Sequence, residues 1–406
     1  MSFALGVVLF ALGIGISVAL HEAGHMWSAR AFGMKVRRYF IGMGPTVFSF
    51  RRGETEYGLK WLPVGGFCDI AGMTALDPVT VEEAPRAFNR KKTWKRVVVL
   101  CAGSAMHFMI GIFLVYVLAV SSGLAHADKG AIAGAASCVP ANQNPITLEL
   151  TPCSPNEVSP AQRAGIQPGD KILSVGGTPT PQWQDAVTAI RHQSGPTPFV
   201  LERDGQQRTV TVDVMSVQRA PIDAARNDPS TRLEPVGAIG LGPKPAVIVK
   251  YGPIDAIPAT FAFTGMMFEG TWEGLKMFPE KVPAVLKALT GVEDRNRPVS
   301  VVGVSIIGGD AVDQGQWAFF ISLLAVFNFF IGVFNLLPLL PLDGGHVAVN
   351  LYERIRDGVR RRMGKTAMPP VDYTRLMPVT YVFILIIAGI SLLTITADIV
   401  NPIRLN

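Results

Sequence analysis

Charge is scarce in this chain. Only 17% of its 406 residues are charged, against 49% that are apolar, and Met1 to Leu20 contains no Lys or Arg. That scarcity argues against an ordinary soluble enzyme and fits a membrane protein carrying a soluble insert. The missing basic residues deprive the first apolar stretch of the positive start of a signal peptide, so it reads as a retained helix. Cysteine is also rare, with four in the chain, too few for a disulfide-built scaffold. No repeat of solenoid length and no low-complexity tract is visible. The net charge of +6 and a pI near 9.2 raise the question of nucleic acid. The basic residues flank apolar runs, however, and read as topology signals; no nucleic-acid partner is expected.

What is abundant is long hydrophobic sequence. Four segments, 3–25, 96–120, 317–342 and 376–397, each approach the ~20 residues needed to cross hydrocarbon. Residues 26–96 are rich in Arg and Lys, including Lys35, Arg37, Arg38, Arg51, Arg52, Arg90 to Lys92, Lys95 and Arg96. The stretch after the third span repeats this with Arg354, Arg356, Arg360 to Arg362 and Lys365, whereas 121–316 holds slightly more acid than base. The positive-inside rule therefore predicts 26–96 and 343–375 in the cytoplasm, with both termini and the long insert outside a plasma membrane. Cys138 and Cys153 then fall in an oxidising compartment and are a candidate pair, though two cysteines alone do not establish a bridge. Cys68 and Cys101 are expected to be free.

The expected organisation has four parts. Residues 1–120 hold two spans and a loop, 121–245 an external domain, 246–316 an amphipathic segment at the outer membrane surface, and 317–406 two further spans. Within the loop, apolar residues alternate from Val47 to Leu59 around a turn candidate at Arg52-Gly53, and Trp61 to Phe67 forms another short strand ending in Gly65-Gly66. This predicts a membrane-associated β-hairpin. It serves either as scaffold or as an exposed strand edge holding an extended chain. From 130 to 245 the chain becomes rich in Pro, Gly, Ser and Thr. Lys171–Val175 reads as a strand, Trp183–His192 as a helix, and Asp204-Gly205 as a hairpin turn. Tyr251 to Leu289 is Pro-interrupted and carries a Met and aromatic stripe, readable as packing or as a substrate surface.

The chemistry is concentrated in His21-Glu22-Ala23-Gly24-His25, at the end of the first span. Two histidines four apart share one helix face and can ligate one metal ion, and a glutamate between them can act as a base. Ionisable groups at membrane depth are a functional hypothesis by default. A catalytic zinc normally has a third protein ligand. The candidate is Asp343, in Asn335-Leu336-Leu337-Pro338-Leu339-Leu340-Pro341-Leu342-Asp343-Gly344-Gly345-His346, where two prolines break a helix. The pattern predicts peptide-bond hydrolysis inside the bilayer.

Together these residues resemble the site-2 protease family of intramembrane zinc metalloproteases, most closely its actinobacterial branch. H-E-x-x-H matches His21, Glu22 and His25, L-D-G matches Leu342 to Gly344, and N-x-x-P matches Asn335 and Pro338. Ala164 to Gly177 is similar to a bacterial PDZ signature, in which Gly165, Ile166, Gly169 and Asp170 would belong to a peptide-binding module. The resemblance implies a polytopic α-helical membrane protein with one extracytoplasmic PDZ domain of α+β type. It implies one zinc held by His21, His25 and Asp343, Glu22 as general base, and Asn335, Pro338, Gly65 and Gly66 near substrate. It also implies action on single-span anti-sigma factors after a first extracytoplasmic cut, in contact with membrane lipid. Two departures stand out. The family's second proline is displaced to Pro341, and its G-P-x-x-N element reads Gly103 to His107, where His107 is expected to be a hydrogen-bonded helix contact. A metal transporter and a silent PDZ scaffold are the competing classes. Neither needs a base between two ligands, so Glu22 discriminates.

Overall fold

In hydrocarbon an apolar run must satisfy its backbone internally, and the long hydrophobic stretches do so as helices. The computed structural model describes residues 1–74, 77–126, 130–153 and 157–405. Among these, four helices have the length and composition to cross a membrane: α1 (Ser2–Ala31), α2 (Thr93–Ser121), α7 (Trp317–Asn335) and α9 (Tyr373–Val400). The third ends at Asn335 rather than at 342, because Pro338 and Pro341 lack the N–H donors a continuing helix would need. A new helix, α8 (Asp343–Arg362), starts directly after them.

Between α1 and α2 the chain forms a two-stranded antiparallel hairpin, β1 (Val36–Arg52) and β2 (Thr55–Ile70). It is longer than the separate short strands expected, since Val36 to Phe40 already pair with 67–70. Gly53 makes the turn at φ +62°, and Gly42, at φ +88°, lies so close to the Leu62 carbonyl that a Cβ would sit 2.5 Å from it. The hairpin base is buried at Val36 and Phe40, whereas Met43, Val47, Phe48, Phe50, Trp61 and Leu62 are exposed. A contiguous apolar patch of this kind marks a lipid or protein contact.

The chain divides into two compact units, Met1–Ser122 with Tyr251–Val285 and Pro298–Asn406, and Gly123–Lys250 with Leu286–Arg297. The second unit contains short strands β3 (Leu124–His126) and β4 (Ala133–Ala136), helix α3 (Pro160–Arg163), then β5 (Lys171–Val175), β6 (Thr178–Pro179), α4 (Trp183–Arg191), β7 (Gly195–Arg203), β8 (Gln206–Arg219), β9 (Glu234–Ala238), β10 (Leu241–Pro243) and β11 (Val247–Val249). Its sheet runs β6-β5-β7-β8-β9, with β10 on β4 and β11 on β3 as separate pairs. Ile172, Val175, Phe199, Leu201 and Val212 are buried and meet Ala186 and Ile190 of α4 in one core. Asp204 and Gly205, both at positive φ, form the expected hairpin turn. Cys138 and Cys153 are bridged, and Cys68 and Cys101 are free.

Residues 246–316 do not form one surface segment. Helix α5 (Ala256–Ala288) runs through Pro279 and Pro283, and its Phe268 packs against Phe108 of α2 and Phe329 of α7 at ring distances of 4.9 and 5.2 Å. Helix α6 (Val301–Asp313) lies against α1, where a Cβ on Gly6 would meet the Gly309 Cα at 2.8 Å. Small residues bring these helices into close packing, as is usual between membrane helices. Helix α6 therefore packs on α1 within the first unit.

Candidate metal centre

The helical spacing of His21 and His25 puts both imidazoles on one face of α1, and both are buried. Asp343, the first residue of α8, joins them after the α7 break. Its Oδ2 lies 3.3 Å from each histidine Nε2, and the two Nε2 atoms are 3.1 Å apart. A tetrahedral ion with ligand bonds of ~2.0–2.1 Å separates its ligand atoms by about 3.4 Å, so this triangle has the size of one zinc face. The donor chemistry agrees. His25 Nδ1 donates to the Val99 carbonyl at 2.7 Å, which leaves its Nε2 as a bare lone pair. That lone pair, the His21 ring and a buried Asp343 Oδ2 without a hydrogen-bond donor converge on one point. A cation between them relieves the mutual repulsion. The residues fit a bound zinc ion.

Close backbone approach makes the cluster possible. A Cβ on Gly103 of α2 would lie 2.4 Å from His25 Nε2, and one on Gly24 would lie 2.5 Å from the Ala102 carbonyl. Gly344 and Gly345 are equally constrained, by the Leu336 carbonyl at 2.2 Å and the Leu339 carbonyl carbon at 2.6 Å. The two glycines after Asp343 let α8 start against the 336–342 turn, whose Leu340–Pro341 peptide is cis. The Glu22 side chain lies against β2, where a Cβ on Gly66 would stand 2.9 Å from its Cγ.

The other expected site residues are placed less centrally. Half-buried Asn335 closes α7, while Pro338 and Gly65 are exposed. His107 donates from Nδ1 to Asn328 Oδ1 at 2.9 Å, with Asn328 oriented by its own bond to the Leu324 carbonyl. Its ring stacks obliquely behind His21 at 5.0 Å, outside the ligand cluster. In the second unit Ile166 is a core residue, and Asp170 accepts from Arg203 at 2.6 and 2.7 Å and from the Gln167 N–H at 2.8 Å. Gly165 and Gly169 supply positive φ. Ile166 and Asp170 thus hold the fold of this unit together. Sequence reading missed the Val99 carbonyl, Gly24 and Gly103. The signal for the glycines was small residues repeating inside apolar helices; a main-chain carbonyl leaves none.

A membrane-spanning helix presenting two histidines, with an aspartate at the start of α8 completing a metal triangle, defines a membrane-embedded metallopeptidase. The model of Peptidase family M50 matches residues 9–377, and the chain belongs to that family, the site-2 proteases. It is similar over its full length to Zinc metalloprotease Rip1 of Mycolicibacterium smegmatis, 49% identical with 100% of each chain covered. Zinc metalloprotease Rip1 of Mycobacterium bovis BCG and of Mycobacterium tuberculosis H37Rv are each 48% identical over 410 residues, again with 100% of each chain covered. The protein is a multi-pass membrane zinc metalloprotease.

Proposed function

We propose that this enzyme cuts transmembrane segments of single-span regulatory proteins of the anti-sigma type, after a first cut has shortened them outside. The observation that carries the reading is the His21, His25 and Asp343 triangle at the end of an apolar helix, with Glu22 beside it. Zinc held by His21, His25 and Asp343 would supply Lewis acidity and lower the pKa of a bound water to ~7. Glu22 takes the proton of the attacking water and returns it to the departing amine. His25 stays oriented because Val99 holds its Nδ1 proton.

A helical substrate hides its carbonyls in internal hydrogen bonds, so it must open before attack. The β2 strand passes Glu22 at Gly66 and offers main-chain groups to an extended chain, and Asn335 and Pro338 stand at the α7 break for the same task. In this reading both termini and the insert are extracytoplasmic, the insert is a PDZ domain, and the Cys138–Cys153 bridge is kept by an oxidising exterior.

The test uses purified full-length protein reconstituted with a one-span substrate. Wild type should release fragments whose new ends map by mass spectrometry inside the span, and Glu22→Gln should release none while keeping its zinc. Cleavage by Glu22→Gln at more than about a hundredth of the wild-type rate would remove Glu22 from the base role.

A further inference from the structure

Helix α8 is amphipathic with its faces reversed. Its polar residues turn inward: Asn350 is 4% exposed, and Glu353 accepts from the Val371 N–H at 2.7 Å and approaches Arg96 of α2 at 3.6 Å. Asn350, Glu353 and Asp357 line one wall of a cavity of about 220 Å³. Its apolar residues turn outward. Leu351, Tyr352, Ile355, Val359 and Met363 are 44 to 65% exposed, and the spacing of four keeps them on one face. A helix facing water buries its apolar stripe, so this stripe has another neighbour.

Two further observations say what that neighbour is. Arg354, Arg361, Arg362 and Lys365 are exposed beside the stripe, and Arg375, in the first turn of α9 and 3.6 Å from Asp372, is 86% exposed. Beside α8, an apolar groove of about 750 Å³ runs between Val349 and Tyr352 of α8 and Leu376, Val379 and Phe383 of α9, with Arg375 also on its wall. Because seven residues separate the end of α7 from the start of α8 and ten separate the end of α8 from the start of α9, both neighbours being spans, α8 is tethered at a bilayer surface. Exposed apolar side chains flanked by cations at such a surface match anionic phospholipid.

We propose that α8 seats in the membrane interface on anionic phospholipid, with an acyl chain in the α8–α9 groove and the phosphate met by Arg375 and the cations that end α8. The first turn of α8 carries Asp343, so the lipid charge bears on the position of a metal ligand. This rests on the chain being a multi-pass membrane protein and not on its peptidase chemistry.

The test is hydrogen exchange on full-length protein in nanodiscs of phosphatidylcholine alone or mixed with phosphatidylglycerol. Each cation near an anionic surface is worth roughly fivefold in binding, so exchange over 351–363 should be slowed by about tenfold or more in the mixed discs. Arg354→Gln, Arg361→Gln, Arg362→Gln, Lys365→Gln and Arg375→Gln combined should abolish that difference. Native mass spectrometry of the wild type should show phosphatidylglycerol retained in preference to phosphatidylcholine. Equal exchange in both discs, or equal retention of both lipids, overturns the proposal. So does protection that appears only when a one-span peptide is added, because the groove would then be a substrate surface. None of these readouts uses cleavage, so an inactive enzyme leaves the answer intact.

Discussion

At the scale of single residues, the metal centre depends on groups that ligate nothing. Gly103 lies where any side chain would occupy the ligand atoms' space, and Gly24 is pressed on the Ala102 carbonyl. Gly103→Ala should therefore weaken zinc binding by about tenfold or more, read by chelator competition, because loss of groups that orient ligands costs roughly that much. Gly15, which has nothing within 4 Å of an added Cβ, is the control, and Gly15→Ala should leave zinc affinity unchanged. Equal affinities in the two variants would show that α2 approaches the histidines less closely than described. The ligands themselves were legible in the sequence because the four-residue spacing of His21 and His25 encodes one helix face. Asp343 was legible through the two prolines before it, which announced irregular backbone at membrane depth, and through the L-D-G element it shares with the family.

At the scale of elements, the hairpin base at Arg37 and the turn at Glu54, which folds back beside Lys35, are pinned by ion pairs rather than by apolar packing alone. Arg37 holds Glu83 at 2.7 Å and Asp77 at 2.8 Å, and Arg86 and Lys35 hold Glu54 at 2.6 and 3.1 Å. The Arg37 guanidinium lowers the Glu83 carboxyl to about 2, and Arg86, followed by Lys35, lowers Glu54 to about 2. A depressed folded pKa contributes stability that is full above the unfolded value of ~4.3 and disappears as pH falls through the folded value. Proteolytic protection of residues 36–40 and 67–70 should thus be constant from pH 7 to 5 and decline only toward pH 2. A loss between pH 7 and 5 would assign the pinning to other groups. The hairpin turn at Gly53 was readable from local sequence, but the pairing of Val36 with Ile70 was not, because register over that distance depends on the bulges near Gly42. The α5 and α6 packing was equally hidden. Glycines that meet glycines, as Gly6 meets Gly309, leave no periodic apolar stripe to read.

At the scale of the molecule, the insert leaves the membrane unit at Ser122, 23 residues along α2 from Val99 and therefore roughly 34 Å up the helix from the carbonyl that orients His25. Under the proposed function, the insert excludes bulky ectodomains. Deleting residues 130–245 should then permit cleavage of a full-length substrate that the intact enzyme refuses. If cleavage of the pre-trimmed substrate slows instead, the insert captures its new C-terminus; unchanged cleavage of both removes either role. Orientation is checked by cysteine labelling of intact cells with an impermeant reagent. Engineered sites in 140–153 and 157–240 should react, and sites in 356–365 should not.

The central claim is that His21, His25 and Asp343 hold one catalytic zinc. X-ray absorption at the zinc edge of the purified full-length protein tests it most directly. The account predicts one zinc per chain with nitrogen and oxygen neighbours at ~2.0–2.1 Å, outer scattering from two imidazole rings, and loss of the bound metal in Asp343→Ala. A sulfur neighbour at ~2.3 Å from Cys68 or Cys101, a third ring from His107, or full zinc retention in Asp343→Ala would contradict it.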